Sequence, residues 1–246
     1  MIKYNTKNIN DWNFGGDNIT KVYRDGDVVY QKVSSGSTPS RLPSGYTEVE
    51  YVEKTSDTNA YQASAWTVPN DGVSGNVYTV VLVMNSNQIN LSGYIAMFGF
   101  TGGYVQRQDS GFGYNTNCGY YSWCDYTRGN FTMVYDTKLV YKFELRKLTI
   151  TNSSTSASTV INLNTSRSNY VNDSKFGVFS YNMNDSGAYM MKCKVYHILI
   201  QGSDSTVKHE YIPCKRDSDS KVGLYDIVGD NFYYPTAYTV TAGPEV

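Results

Sequence analysis

Apolar and polar residues alternate in short runs along most of the chain, and the period of an amphipathic helix is nowhere sustained. A two-residue period predicts half-buried β-strands, because successive side chains of a strand point to opposite faces of its sheet. Strands are predicted at residues 47–53, 77–84, 94–100, 111–114, 131–135, 140–151, 158–163, 176–181 and 192–201. Many short strands separated by Gly and Asn turns predict an all-β sandwich or jelly roll.

The run at residues 192–201 is the clearest candidate for a buried strand. The alternation places Val195, His197 and Leu199 on one face and Tyr196, Ile198 and Ile200 on the other. Both faces are largely apolar, which predicts a central strand. We interpret His197 as a core or sheet-face histidine and place His209 at a strand edge near Glu210.

The N-terminal part of the chain has a different organisation. Residues 19–24 and 28–33 are rich in β-forming residues and flank Asp25 and Gly26. An Asp-Gly step between such runs predicts a β-hairpin, because both residues tolerate positive φ. Residues 34–41 are mostly small and polar, as in a linker. We therefore divide the chain into a small β anchor at 1–33, a Ser-rich linker at 34–41 and a main domain at 42–246.

Composition limits the partners of this protein. The chain has 246 residues, enough to bury a core without disulfide bonds. Its net charge is -1 and only 17% of its residues are charged, so we expect no nucleic-acid partner. No stretch approaches the roughly 20 apolar residues that span a membrane, so no membrane insertion is expected. The start of the chain lacks the basic and apolar regions of a signal peptide, which predicts synthesis in the cytoplasm without secretion.

The cysteines and histidines predict no metal or cofactor. Cys118, Cys124, Cys193 and Cys214 form no Cys-x-x-Cys pair, so a zinc site is not expected. We interpret all four as free thiols that behave as small apolar groups, although Cys118 and Cys124 could form a bridge if oxidised. Neither histidine has a partner at a spacing typical of metal ligands.

Two acidic patterns suggest chemistry, and each has a simpler explanation. Glu48, Glu50 and Glu53 resemble the carboxylates of some jelly-roll glycosidases, although the middle position of that pattern is normally Asp. Charges that protect an edge strand from aggregation explain them better. Asp217 and Asp219 offer oxygens to calcium but lack the remaining ligands of a binding loop, so a turn is favoured. No catalytic residue is therefore predicted.

Tyrosine is unusually frequent, with 24 residues against 9 Phe and 3 Trp. Tyr suits half-buried strands, and its polar tip also suits wet recognition surfaces. The densest stretch runs from Tyr104 to Tyr126 and mixes aromatic rings, which stack on sugars, with groups that hydrogen-bond to hydroxyls. The candidate ligand-binding residues are Tyr104, Arg107, Tyr114, Asn117, Tyr120, Tyr121, Trp123 and Asp125. Strands packed inside the sandwich or in an oligomer interface would show the same composition.

A resemblance to a known family rests on three segments: LPSGYTEVEYV at residues 42–52, MKCKVYHILI at 191–200, and the tail at 211–246. Together they resemble the concanavalin A-like, or laminin G-like, jelly-roll domains at the ends of bacteriophage virion proteins, many from phages of gut bacteria. Residues 1–33 resemble short repeats near the start of phage fibre and tail proteins. The second resemblance implies attachment to the particle through Trp12, Phe14, Val22, Tyr23, Val28 and Tyr30.

The resemblance implies both a fold and a role. The implied fold is an antiparallel two-sheet jelly-roll sandwich preceded by a small N-terminal hairpin. The implied role is a non-enzymatic virion protein, a head or tail fibre or decoration. Such a protein would contact other virion proteins through residues 1–33 and form a homo-oligomer, with a trimer favoured. The resemblance does not transfer a ligand; binding of a host-surface glycan is a hypothesis that the family and the tyrosine-rich segment together motivate. The alternatives are a jelly-roll enzyme that degrades polysaccharides and a free carbohydrate-binding module.

Overall fold

The computed structural model separates the chain into two compact units, Met1–Ser40 and Arg41–Val246. It describes residues 41–55, 66–71, 76–85, 134–144, 147–162, 175–179 and 192–246 together with their side chains. Phe98 is also described with its side chain, and the strands within 13–31, 94–132 and 181–188 are otherwise described by their backbone. Every regular element in these parts is a β-strand, which confirms the all-β class. None of the described residues belongs to a helix long and apolar enough to span a membrane.

The described residues of unit Met1–Ser40 form two small antiparallel pairs of strands. The strands are β1 (Asn13–Phe14), β2 (Asp17–Asn18), β3 (Lys21–Arg24) and β4 (Asp27–Gln31). β1 pairs with β2, and β3 pairs with β4. The β3–β4 connection is the Asp25-Gly26 step, so the predicted N-terminal hairpin is confirmed.

Most of the candidate attachment residues lie on these strands. In the β3–β4 hairpin, Val22 pairs with Tyr30 and Tyr23 pairs with Val28. Phe14 belongs to β1, whereas Trp12 lies outside the described residues. The role of these residues in attachment stays a prediction.

In unit Arg41–Val246 the described strands form two sheets and a separate two-stranded pair. Its strands are β5 (Tyr46–Glu48), β6 (Val52–Glu53), β7 (Trp66–Pro69), β8 (Val77–Met84), β9 (Tyr94–Phe100), β10 (Gly103–Asp109), β11 (Thr116–Ser122), β12 (Asp125–Thr132), β13 (Leu139–Glu144), β14 (Lys147–Asn152), β15 (Ser158–Asn162), β16 (Lys175–Val178), β17 (Tyr181–Met183), β18 (Ser186–Ala188), β19 (Cys193–Gln201), β20 (Val207–Arg216), β21 (Val222–Asp226), β22 (Asn231–Tyr233) and β23 (Thr241–Ala242). β17 and β18 pair only with each other in the described part of the chain.

The other strands form a large sheet of 11 strands and a small sheet of 6. The large sheet has the order β15-β14-β13-β8-β19-β20-β21-β22, with β5 beside β20 and with β6 between β19 and β23. The small sheet has the order β12-β11-β10-β9-β16-β7. All of these pairings are antiparallel.

The two sheets pack face to face over one main core. Tyr78 of the large sheet stacks on Phe176 of the small sheet, with ring centroids 5.3 Å apart. Phe98 of the small sheet meets Tyr141 of the large sheet edge to face at 5.7 Å. All four side chains are buried, and aromatic pairs of this kind add about 0.5 to 1.5 kcal/mol each beyond their area burial. The predicted antiparallel two-sheet sandwich is therefore confirmed.

β19 lies between β8 on one side and β6 and β20 on the other, so the prediction of a central strand is confirmed. The predicted division of its faces is wrong beyond Val195. A β-bulge between Val195 and His197 inserts an extra residue and reverses the alternation that follows. As a result Val195, Ile198 and Ile200 are all buried in the core, whereas His197 is only half-buried.

Several predicted strand limits are also corrected. The single strand predicted at residues 140–151 is divided into β13 and β14, which pair with each other in antiparallel fashion. The sequence between the two strands contains no typical turn former, so it carries no signal for this division. The strand predicted at 47–53 is divided into β5 and β6. β12 and β16 end at Thr132 and Val178, before the predicted limits. The strand predicted at 111–114 lies outside the described residues.

Cys193 and Cys214 are free and buried, which confirms the thiol interpretation for these two residues. Burial raises the pKa of the Cys214 thiol to about 12 and also raises that of Cys193. Both thiols therefore stay protonated at neutral pH and act as apolar core groups. The side chains of Cys118 and Cys124 lie outside the described part of the chain, and their redox state stays open.

Candidate functional site

The tyrosine-rich segment forms one end of the small sheet, where β10, β11 and β12 are neighbours. In the register of these strands, Tyr104 of β10 pairs with Tyr121 of β11, and Tyr121 pairs with Tyr126 of β12. Directly paired positions share a face of a sheet. The three residues, named here the tyrosine row, therefore cross three adjacent strands on one face.

The face of the tyrosine row follows from the pairing of Val105 with Phe98. Phe98 is 3% exposed and its ring contacts Tyr141 of the large sheet, so its position is on the core face. Val105 shares that face, and Tyr104, one residue before it, lies on the opposite face. The tyrosine row thus occupies the outer face of the small sheet.

The strand period divides the other candidate residues between the two faces. The outer face carries Tyr104, Asn117 and Tyr121, the core face carries Arg107, Tyr120 and Asp125, and Tyr114 and Trp123 lie outside the described residues. The outer face also carries Gln106 and Gln108 of β10 and Arg128 of β12, which the sequence did not single out. The register therefore places only some of the predicted ligand-binding residues on the outer face. It also places three polar residues there that were not predicted.

The three glutamates of the possible glycosidase pattern each bind a different partner. Glu48 accepts a hydrogen bond from the Arg41 guanidinium at 2.7 Å. The Glu50 carboxylate lies 3.3 Å from Lys138 Nζ, and Glu53 accepts from the Asn85 side chain at 2.9 Å (Nδ2 to Oε1). The expectation of an edge strand is wrong for β6, which carries Glu53 and pairs with β19 and β23.

Asp217 and Asp219 lie in the turn between β20 and β21. Asp217 accepts a hydrogen bond from the Thr47 hydroxyl at 2.8 Å. Asp219 binds the Arg216 guanidinium through both carboxylate oxygens, at 2.9 and 2.7 Å. Within the described ranges, no group of three or more His, Cys, Asp or Glu side chains is placed to hold a metal ion.

His209 of β20 lies between two carboxylates, an arrangement that sequence reasoning missed. Its Nδ1 is 2.6 Å from Asp226 Oδ2, and its Nε2 is 3.1 Å from Asp71 Oδ1. The Asp226 side chain is 1% exposed and ends β21, whereas Asp71 is 46% exposed and follows β7. Because β7 belongs to the small sheet and β20 to the large sheet, His209 links the two sheets.

Tyr211 makes a second link between the sheets. Its hydroxyl donates a hydrogen bond to the Pro69 carbonyl at 2.7 Å, and its ring stacks on His209 with centroids 5.7 Å apart. His209, Tyr211, Asp71 and Asp226 are named here the His209 cluster. Both ring nitrogens of His209 already have carboxylate partners. We therefore interpret the cluster as a structural contact that holds the two sheets together.

The charges of the cluster stabilise one another. The hydrogen bond to Asp226 raises the pKa of His209, an effect that burial opposes and Asp71 reinforces. Burial alone would raise the pKa of Asp226, but hydrogen bonds from His209 and from the Gly229 and Val228 amides lower it below its usual value. The imidazolium–carboxylate pair therefore persists to a higher pH than a free histidine would allow.

We expect the melting temperature to be highest between about pH 4 and about pH 6.5. The raised pKa of His209 stabilises the fold below its unfolded-state pKa, and this contribution is lost as the pH rises through the folded-state value. The lowered pKa of Asp226 adds stability above its unfolded-state pKa, which is lost as the pH falls through its folded-state value. Circular dichroism melts across this range measure the profile. The His209→Gln variant should lose the decline on the alkaline side, and equal slopes in both proteins would contradict the assignment.

Comparison with known proteins assigns this chain to no family. No family model and no curated protein matches the sequence. Among solved structures, one match is a protein of Bacteroides ovatus described as a "putative carbohydrate binding protein". The identity is 9%, the match covers 80% of this chain and 60% of that chain, and the TM-score is 0.49. A similarity this distant carries no conclusion about ligand or role, and the class that the structure itself defines is an antiparallel β-sandwich.

Proposed function

We propose that unit Arg41–Val246 is a carbohydrate-binding domain whose ligand lies across the tyrosine row. The observation that carries this proposal is the register, which brings Tyr104, Tyr121 and Tyr126 to directly paired positions on the outer face of the small sheet. Neighbouring strands are about 5 Å apart, so the row extends about 10 Å. That length matches about two linked sugar rings.

The residues around the row suit a polyhydroxylated ligand. Aromatic rings offer apolar faces to the C–H groups of a sugar, while the Tyr hydroxyls stay wet. Gln106, Gln108 and Asn117 lie on the same face, and each amide both donates and accepts hydrogen bonds. Sugar hydroxyls need the same combination, because each of them also donates and accepts. The net charge of -1 supports a ligand recognised by stacking and hydrogen bonds rather than by long-range attraction.

The virion setting is a further part of the proposal and is supported by the sequence resemblance. In this setting unit Met1–Ser40 attaches the chain to a phage particle, and the sandwich is displayed in several copies, with a trimer favoured. Several copies on one particle would turn weak single-site binding into firm attachment. Antibody labelling of phage particles in electron micrographs would test the location. Particles without label would contradict it.

The binding site itself is tested with a glycan array and the multimerised full chain. The best glycan is then titrated against the Tyr121→Ala variant, which we expect to bind at least tenfold more weakly, a loss of about 1.4 kcal/mol. Tyr196→Ala is the matched control, because this half-buried Tyr belongs to β19 of the large sheet and its ring contacts Lys138. The control should bind like the wild type. Equal losses in both variants, or no glycan retained at high valency, would contradict the proposal.

A further inference from the structure

A pocket of about 460 Å³ opens between the β20–β21 turn and the connection that follows β22. Its described lining includes Lys221, Val222, Tyr234, Tyr238, Thr239 and Val240. Pockets that hold small ligands are typically about 300 to 1,000 Å³. The described residues that line this pocket belong to the β20–β21 turn, to β21 or to the segment after β22, whereas the tyrosine row lies on the small sheet.

The lining divides into an apolar part and a polar part. Val240 is 6% exposed and belongs to the main core, and Val222 and Tyr238 pack against that core. The exposed residues of the lining are Ser220, Lys221, Thr236 and Thr239. A ligand in this pocket would therefore meet aromatic and aliphatic carbon on one side and hydroxyl groups with one ammonium group on the other.

Tyr234 is held in place at this pocket by two cations. Lys221 Nζ donates a hydrogen bond to the Tyr234 hydroxyl at 3.0 Å and lies 4.2 Å from the ring centroid. The Arg216 guanidinium lies 5.4 Å from the same ring and is fixed by its paired hydrogen bonds to Asp219. The Phe232 ring also stacks on Tyr234, with centroids 5.6 Å apart, so Tyr234 is a firmly held aromatic group in the pocket lining.

Lys221 gives the pocket its charge. Among the described residues of the lining it alone is charged, and its side chain is 44% exposed. Asp219 lies 3.6 Å from Lys221 Nζ but also holds Arg216, so two cations share one carboxylate. The local balance of these three groups is one positive charge in excess. An ammonium group has three donors; one is given to the Tyr234 hydroxyl, while Asp219, at 3.6 Å, is an ion-pair partner beyond hydrogen-bond distance.

We infer that this pocket is a second ligand site, selective for a carboxylated sugar such as a uronic acid. The apolar side would pack against the sugar ring, the hydroxyls of Ser220, Thr236 and Thr239 would meet the sugar hydroxyls, and Lys221 would bind the carboxylate. A neutral sugar would forgo the charge-assisted hydrogen bond, which is about twice as strong as a neutral one. The inference does not depend on the tyrosine row, since the two sites lie on different sheets.

The test titrates the full chain with D-glucuronate, D-glucose and inorganic sulfate, followed by amide chemical shifts in NMR spectra. We expect glucuronate to bind at least tenfold more tightly than glucose and to shift the amides of residues 220–240. Lys221→Met should weaken glucuronate binding at least tenfold and leave glucose unchanged. Thr239→Trp, which fills the pocket from an exposed position, should abolish binding of both sugars.

The matched control is Lys215→Met. Lys215 lies on β20, is 35% exposed and pairs with Glu245 at 3.2 Å, outside the pocket. The Lys215→Met variant should bind glucuronate like the wild type. The Tyr121→Ala variant should do so too, and this result would show that the pocket binds independently of the proposed glycan site. Equal binding by Lys221→Met and the wild type would overturn the inference. Displacement of glucuronate by an equal concentration of sulfate would overturn it too, because it would show recognition of charge without the sugar.

Discussion

Replacing Asp226 by Ala is expected to lower the free energy of unfolding by about 3 to 5 kcal/mol, the usual cost of breaking a buried ion pair. The Asp226 side chain is 1% exposed, so water cannot take the place of the lost carboxylate. The Glu210 and Val228 amides lose the Oδ1 atom that accepts their hydrogen bonds. Of its two described charged partners, His209 then keeps Asp71 alone. Urea unfolding followed by circular dichroism measures the loss.

The control for this prediction is Asp71→Asn, on the other side of the same imidazole. Asp71 is 46% exposed, so its ion pair with His209 is screened by water. Asn also tolerates the positive φ of 61° at this position and keeps a side-chain oxygen that accepts a hydrogen bond. We expect this variant to lose at most about 1 kcal/mol. Similar losses at Asp226 and Asp71 would show that burial does not set the strength of the His209 cluster.

The sequence predicts best the strands in which the pattern of apolar and polar residues follows the burial of the side chains. β8 and β9 begin and end where the alternation predicts, because apolar positions recur without interruption between polar turns. The faces of β19 could not be predicted in this way. The bulge after Val195 depends on the backbone of β8, which pairs with residues on both sides of it. A local pattern carries no information about such a pairing.

The candidate site was predictable in composition but not in geometry. The tyrosine-rich segment is evident from the sequence, but its faces depend on the register of β10 with β9 and β11. Tyr120 and Tyr121 are adjacent in sequence, yet the register puts only Tyr121 in the tyrosine row. If the pairing of β11 shifted by one residue, Tyr120 would take the place of Tyr121 on the outer face. Register is set by long-range pairing, so the sequence alone left both as equal candidates.

The His209 cluster shows the same limit more strongly. Asp226 is 17 residues from His209 in sequence, and Asp71 is 138 residues away. The pairing of β20 with β21 joins the first two, and the packing of the two sheets adds the third. One signal in the sequence was usable: Asp226 follows Leu224 and Tyr225 at the end of an apolar strand, where a buried carboxylate needs a partner. His209 is one of only two histidines that could supply it.

The second large effect is expected in the C-terminal tail, where Gly223→Ala should destabilise the fold by about 3 kcal/mol. A Cβ atom at Gly223 would clash with the Tyr233 carbonyl oxygen and would lie 2.8 Å from Phe232 Cε2. The carbonyl belongs to β22, whose Tyr233 pairs with Leu224 of β21. Relief of the clash therefore requires separation of two strands rather than rotation of a side chain. Urea unfolding and the melting temperature measure the loss.

Gly202→Ala is the matched control, because its added Cβ would meet side chains instead of backbone. The nearest atoms are Asp204 Oδ1 at 2.7 Å and Lys208 Cε at 3.3 Å, which belong to flexible side chains. The change should cost at most about 1 kcal/mol, offset in part by the lower entropy of the unfolded chain. If Gly223→Ala were as stable as this control, β22 would not be held against β21 as closely as described. A loss of stability in Gly223→Ala but not in Gly202→Ala would instead show that β22 packs this closely against β21 because position 223 lacks a side chain.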